Sequence, residues 1–361
     1  MANEEMPRLR IALIAEQQSA YLQLGYSEDE CAALTHDGEV QAVSTTLRKL
    51  GHHVTLIPGV QPLVQQLAAG KHHEWDLAFN MAQGFHGSAR ESQVPALLEA
   101  YQVPYTFSDA ATMALCQNKA NTKISLAYNH IPTSPFVVIP ARQSDIPMST
   151  KTLPQYPLFV KLVTEGSSKG IDPMSKANGP VELQRAVQKL RAQFPGQDIL
   201  VESFLPGREF TVGILGNGAD SKVIGITEHV SQQPPSSDEE GSDGYYGIDF
   251  VSRKCKSNKG LVVLDHDCSD ISDPQLKAAS QVALDAWSAF GCNDAGRVDI
   301  RFDSEGPDSV PNVLELNPIS GLLPGHSPLA RGAEKNGISF EMLVGAIVDS
   351  AVKRTCQATP N

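Results

Sequence analysis

The chain reads as a mixed α/β and α+β protein of several units. Short apolar strands alternate with helix-spaced repeats over residues 1–115, the pattern of a parallel α/β domain. A strand–helix–strand unit over residues 116–210 looks like a small α+β domain. Residues 211–361 begin with two strands, pass through a polar tract, and return to strands whose polar and apolar residues alternate.

The elements follow in order. Arg10 to Ala15 is a buried strand, and a polar stretch runs from Glu16 to Thr35. Val40, Val43, Leu47 and Leu50 then recur at helical spacing, and Gly51 stops that helix. His53–Ile57, Asp76–Asn80 and Pro104–Phe107 complete a set of four strands. Asn118 can cap a helix that runs to about Tyr128, with Asn129 closing it. Strands at Phe136–Ile139, Leu158–Val163 and Ile199–Phe204 flank an amphipathic helix from Pro180 to Phe194, with Leu183, Val187 and Leu190 on one face. Phe210–Leu215 and Val223–Thr227 are the next strands, before a turn-rich tract that predicts a mobile loop over 231–256. A helix from Pro274 to Phe290, between Asp273 and Gly291, precedes the strand Arg297–Phe302; a last helix covers about Phe340–Val352.

At 361 residues, the chain is long enough for two or three domains. A net charge of −12 gives no attraction to a polyanion, which argues against nucleic acid as a partner. No apolar run is long enough to span a bilayer, and the acidic N-terminus lacks the apolar core of a secretory signal. The six cysteines are scattered and form no C-x-x-C pair, so reduced thiols in a cytoplasmic enzyme are expected, with Cys116 and Cys292 in the core.

The chemistry concentrates near the C-terminal end. Arg297 and Asp299 share one face of a strand, as do Glu315 and Asn317 in Val313–Pro318. If those strands lie side by side, two carboxylates and an amide oxygen converge beside one guanidinium. Oxygen ligands at such spacing suit Mg²⁺, and an arginine beside them suits phosphate or an oxyanion. Lys161 sits inside an apolar strand, where it must reach an anion or the sheet edge. The loop Glu165-Gly-Ser-Ser-Lys-Gly170 can wrap phosphate oxygens with backbone N–H groups and hydroxyls, although most such loops are plain turns.

These segments together resemble the ATP-grasp ligases, and among them the D-alanine–D-alanine ligase group, across nearly the whole chain. The resemblance is carried by Asn118–Lys123, Phe159–Lys161 with Glu165–Ser168, Glu202 to Gly213, Arg297–Asp299 and Glu315–Gly321. It implies a three-domain ATP-grasp fold with ATP between the last two domains. It also implies an ADP-forming ligase that joins a small carboxylate to an amine through an acyl phosphate. By resemblance, Lys119 and Lys161 bind ATP phosphates, and Glu165, Gly166, Ser167 and Ser168 form the loop that closes over them. Backbone groups near Ser203 and Leu205 meet adenine, with Glu202 at its edge and Glu209 on the ribose. Asp299, Glu315 and Asn317 hold a pair of Mg²⁺ ions (Mn²⁺ being an alternative), while Arg297 and the Gly321 amide stabilise an oxyanion. Ser327 approaches a substrate carboxylate. Small-molecule acid and amine substrates are the implied partners, and a homodimer is compatible with the resemblance.

The match breaks in the substrate-facing segments. The family's G-G-x-S-x-E turn after the first strand is replaced by the inserted stretch Glu16 to Glu30. Glu39 is the nearest counterpart of the family's substrate-orienting acid, or else a helix-cap glutamate at the surface. In place of H-G-x-x-G-E-D-G stands Gln83-Gly-Phe-His-Gly-Ser-Ala-Arg90, where His86 and Arg90 are new. Arg90 is expected to bind a substrate carboxylate or to pair with Glu91 or another acid. In the lid, Tyr246, Arg253 or Lys254 is expected to reach the γ-phosphate. The departures point to an altered substrate pocket; a genuine D-alanine–D-alanine ligase and a non-catalytic ATP-binding regulator are the alternatives.

Overall fold

A computed structural model of the chain describes residues 8–143, 153–231, 261–268 and 272–357. Of the loop expected over 231–256, Ser231 ends a strand and the rest, with Tyr246, Arg253 and Lys254, lies outside the described residues.

Strands β1 (Arg10–Ile14), β2 (His53–Ile57) and β3 (Leu77–Asn80) form a parallel sheet in the order β2-β1-β3. The expected fourth strand at Pro104–Phe107 reduces to one parallel bridge, Ala78 to Tyr105. Phe107 takes φ +72, which bends the chain out of the sheet after that bridge. Helices α1 (Gln18–Gln23), α2 (Asp37–Lys49), α3 (Val60–Ala68), α4 (Gln93–Ala100) and α5 (Ala110–Gln117) connect this region. The stretch read as polar from Glu16 to Thr35 is a closed loop. Thr35 N–H donates to the Glu16 carbonyl at 3.1 Å and Gln18 N–H to the Thr35 carbonyl at 3.0 Å, so its two ends are tied.

Helix α6 (Lys119–Tyr128) starts as expected, the Asn118 side chain accepting the Asn121 N–H at 3.0 Å. Its Leu126 packs with Cys116, Ile131 and the C-terminal sheet. Strands β4 (Phe136–Ile139), β5 (Leu158–Leu162), β6 (Lys176–Ala177) and β7 (Ile199–Ser203) make an antiparallel sheet ordered β4-β7-β5-β6. Helix α7 (Pro180–Gln193) covers it with Leu183, Val187 and Leu190, the residues expected on its apolar face.

The third sheet, ordered β10-β9-β8-β11-β12, is antiparallel. It comprises β8 (Glu209–Leu215), β9 (Lys222–Ser231), β10 (Leu261–His266), β11 (Ala295–Phe302) and β12 (Pro311–Asn317). Helix α8 (Pro274–Ala289) lies on one face, its Trp287 fully buried against Val298 and Leu316. Helices α9 (Pro328–Lys335) and α10 (Phe340–Gln357) share a core with β1 and α2, through Leu329, Val344 and Ile347 against Leu13 and Val43. The N-terminal sheet and the C-terminal helices are thereby packed as one body. Cys116 and Cys292 are buried as expected, and the described cysteines are free thiols. Among the described residues no helix is long and apolar enough to cross a membrane.

Candidate active site

The alternation in β11 sends Val298, Ile300 and Phe302 into the core and Arg297, Asp299 and Arg301 to the other face. Arg297 pairs with Asn317 and Asp299 with Glu315 across the β11–β12 register, so the two sequence pairs do converge. A bulge after Asp299 shifts the register there and brings Leu314, beside Glu315, to the wall of the cleft. From the other neighbour, β8 sets Thr211 opposite Asp299 and Glu209 opposite Arg301. Thr211 donates to Asp299 Oδ1 at 2.7 Å, and Arg301 meets Glu209 at 2.8 Å.

A cleft of about 580 Å³ runs between this sheet and the four-stranded one. Lys161 projects from β5, an interior strand, so it is no lysine reaching out from a sheet edge. Its ammonium meets Glu202 Oε1 at 2.5 Å. Glu202 Oε2 is held by Lys123 at 2.7 Å and by the Ser134 hydroxyl at 2.8 Å. Burial would raise the Glu202 carboxyl, but the two lysines outweigh it and hold it near 2. Burial likewise pulls Lys161 down, and Glu202, Glu315 and Glu209 turn the net shift upward. Lys123 is the more deeply sealed of the two lysines, and burial keeps its pKa lowered. Both oxygens of Glu202 therefore serve lysines, while the residue still lines the cleft. Two buried ammonium groups need a counter-charge, and Glu202 is that charge.

Lys119 donates to the Glu165 carbonyl at 2.7 Å and meets Glu315 Oε2 at 3.0 Å. Asn317 Nδ2 donates to Asp299 Oδ2 at 3.2 Å and to Glu315 Oε1 at 3.4 Å. Burial and the nearby Glu315 push the Asp299 carboxyl up, with Arg297 opposing them. Glu315 is held well below the usual carboxylate range, since Lys119, Lys161 and Arg297 outweigh its burial. Among the described residues no three His, Cys, Asp or Glu side chains form a closed metal cage. The donor set is two carboxylates and an amide, which suits a Mg²⁺ that completes its shell with phosphate and water oxygens. Arg297 Nε is buried, makes no hydrogen bond, and lies 3.5 Å from Asp299 Oδ2, which suits an anion arriving beside it.

Ser167 and Ser168 both take left-handed conformations, at φ 52 and 57, in the turn that follows β5. Two consecutive non-glycine residues there store strain in the loop that borders the cleft. Gly166 has open space around its Cα. Glu165 anchors this turn from inside. Gln197 donates to its Oε1 at 2.7 Å, and Arg90 and Lys169 stand 3.5 and 3.6 Å from its Oε2.

Glu39 is buried and accepts the Leu322 N–H at 2.6 Å, which rules out the surface-cap alternative. Burial raises its carboxyl to about 7. A Cβ at Gly321 would lie 2.9 Å from Ser327 Oγ, so a side chain there would displace that hydroxyl. Ser327 Oγ accepts the Leu323 N–H at 2.9 Å and closes that turn.

Two expected substrate residues are placed elsewhere. Arg90 is buried and donates to the Thr164 carbonyl at 3.1 Å besides meeting Glu165. It pairs with an acid of the neighbouring domain, the second of the alternatives foreseen for it. Gly84, at φ 64, shapes this turn; a Cβ there would lie 2.4 Å from the Arg90 carbonyl. His86 is exposed and stacks on Phe85 at 4.7 Å, in a cluster with Tyr21 and Tyr26. The aromatic side chains of the insert draw it to the surface.

Several residues of the site were not picked out in the sequence. Thr211 stands two places after Glu209, and strand periodicity alone would have found it. His229, whose Nε2 lies 3.1 Å from Thr211 Oγ1, falls past the strand end that the sequence suggested. Glu91 was considered only as a partner of Arg90, yet it borders the cleft.

Strand order, cleft and charge set together define an ATP-grasp ligase. The family described as "D-ala D-ala ligase C-terminus" matches residues 126–349. The chain belongs to the D-alanine–D-alanine ligase family. The D-alanine–D-alanine ligase of Rhizorhabdus wittichii is 30% identical over 335 residues, covering 92% of this chain and 96% of that protein. That of Xanthomonas axonopodis pv. citri is 29% identical over 331 residues, covering 91% and 92%. The Bacillus anthracis D-alanine–D-alanine ligase complexed with ATP superposes with a TM-score of 0.70 at 17% identity, over 97% of this chain and 100% of that one. The Coxiella burnetii enzyme gives 0.67 at 20% identity, over 98% and 96%. At those identities the superpositions speak for the fold.

Proposed function

We propose that this chain joins an amino-acid carboxylate to the amine of a second substrate, with release of ADP and phosphate. The observation that carries the reading is the convergence of Lys119, Lys161, Arg297, Asp299, Glu315 and Asn317 on one cleft. A carboxylate resists attack because of its charge, and transfer of the γ-phosphoryl group of ATP removes that obstacle. Mg²⁺ (or Mn²⁺), held by Asp299, Glu315 and Asn317, supplies charge neutralisation on the phosphates. Lys119 and Lys161 bind phosphate oxygens, the latter kept charged and in place by Glu202. The turn of Glu165, Gly166, Ser167 and Ser168 covers the phosphates and excludes water. Phe159, Phe204 and Leu314 receive the base. The Ser203 and Phe204 N–H groups are spent on the Pro135 and Pro157 carbonyls, so base recognition falls to the Ser203 carbonyl and the Leu205 N–H. Glu209, steadied by Arg301, faces the ribose. Arg297 and the Gly321 amide stabilise the oxyanion formed when the amine attacks, worth about 3–4 kcal/mol for a single donor. Glu39 keeps the Gly321–Leu322 backbone in position, and Ser327 meets the carboxylate of the amine substrate.

The named relatives make D-alanine the first candidate for both substrates. A second reading, an altered acid substrate, is favoured by one observation: Ala32, Ala33, Leu34 and Thr35, just after the insert, form part of the cleft wall. A screen of D- and L-amino-acid pairs by phosphate release, with mass spectrometry of the products, decides between them. Release of D-alanyl-D-alanine supports the first reading, and turnover only with other acids supports the second. ATP binding without turnover across the panel would contradict both.

A further inference from the structure

Glu91 borders the cleft, and nothing in the chemistry above uses it. Two of the cations around it are engaged elsewhere. Arg90 is spent on the Thr164 carbonyl at 3.1 Å and on Glu165 at 3.5 Å. Lys119 is spent on the Glu165 carbonyl and on Glu315, at 2.7 and 3.0 Å. Among the described residues the Glu91 carboxylate makes neither a hydrogen bond nor an ion pair. Its backbone is pinned, however, because Glu91 N–H donates to Gln117 Oε1 at 3.2 Å. Burial raises this carboxyl, while the charges of Arg90, Lys119 and Arg297 are near enough to oppose that. Glu39, the other acid at this end, already gives Oε1 to Leu322.

A half-buried carboxylate that no protein group hydrogen-bonds is costly, and a cationic group on a ligand offsets that cost. Arg297 lines the cleft as Glu91 does, near enough for its charge to act on that carboxylate. Positive and negative groups are therefore presented side by side, the complement of an α-amino acid with its carboxylate and ammonium on one carbon. We propose that Glu91 is a specificity-determining residue that receives the ammonium of the acyl-donor amino acid, with the carboxylate turned toward Arg297. This deepens the ligase reading and rests on it.

The test pairs phosphate-release kinetics with calorimetric titration of D-alanine, L-alanine and propionate into protein loaded with Mg²⁺ and a non-hydrolysable ATP analogue. In Glu91→Gln, affinity for the preferred alanine and its KM as acyl donor should worsen at least ~10-fold. The KM for ATP should stay within about twofold, and the preference for alanine over propionate should vanish. Should Glu91→Gln fail to fold, Glu91→Asp should bind alanine more weakly yet still prefer it to propionate. Equal alanine binding by wild type and variant overturns the assignment, and normal wild-type turnover would then leave the ligase reading intact. Glu91-dependent alanine binding with no turnover by the wild type sinks the ligase reading and keeps the assignment. Failure of the wild type to bind either alanine overturns the assignment as well.

Discussion

Glu315 faces Asp299 across two strands, takes Lys119 on its other oxygen, and is held ionised by three cations. Glu315→Gln keeps its shape and removes the charge, so turnover should fall ~10³-fold or more while the circular dichroism spectrum is unchanged. Near-normal activity would refute the metal assignment. Glu202 makes a different kind of statement, about stability. Its carboxyl is lowered from 4.5 to about 2, so its contribution is complete above pH 4.5 and is lost as pH falls through 2. Glu202→Gln leaves Lys123 and Lys161 buried without a counter-charge, at a cost of about 3–5 kcal/mol. Urea unfolding at neutral pH should show that loss, and the difference from wild type should shrink in strong acid. An unchanged midpoint at neutral pH would mean that the triad is more solvated than its burial implies. Much at this level was legible beforehand. Arg297, Asp299, Glu315 and Asn317 were found because strand periodicity alone puts them on one face. The pairing of Glu202 with its two lysines is not legible, because they come from different elements and no local spacing reveals that meeting.

Helices and strands were mostly legible too, with errors of physical kind. The Asn118 cap, the Asp273 start and the Gly51 stop are all local chemistry, and they set the ends of α6, α8 and α2 as expected. Pro104–Phe107 reads as a strand because its composition is right, but only Tyr105 finds a bridge partner. The stretch Glu16–Thr35 reads as polar chain, whereas tied ends and the aromatic group Tyr21, Tyr26 and Phe85 make it compact. Arg90 is the instructive case. Its turn belongs to the N-terminal domain, and its guanidinium holds Thr164 and Glu165 of the loop after β5 proposed to cover the phosphates. Arg90→Met should therefore raise the KM for ATP ~10-fold by loosening that loop, and leave the KM for the carboxylate substrate within about twofold. The opposite pattern would return Arg90 to the substrate.

Asp294 joins the parts of the chain. It is fully buried at φ +64 and accepts the Phe107 N–H at 2.7 Å, Asn217 at 3.1 Å and Arg354 at 2.9 Å. Arg354, on α10, also donates to the Tyr105 and Phe107 carbonyls at 2.8 and 3.1 Å. This one carboxylate thus ties the N-terminal sheet, β8 and the last helix into the frame on which the cleft depends. Arg354→Met strands the buried charge and should cost about 3–5 kcal/mol, seen as a fall in Tm of ~5 °C. A shift of a degree or less would show that Asn217 and Phe107 suffice. None of this network was visible in the sequence, for its members lie far apart in the chain and carry no shared motif. The order of the catalytic segments, by contrast, was visible, and it gave the reaction class. Oxygen tracing bears on that reaction without any assumption about side chains. The wild-type enzyme is supplied with ATP, Mg²⁺, amine and an acid labelled with ¹⁸O in its carboxylate, and the released phosphate is weighed. Passage of one labelled oxygen into phosphate, with ADP as the other nucleotide product, is the expected outcome. Label appearing in AMP, or phosphate released without label, would contradict the acyl-phosphate mechanism.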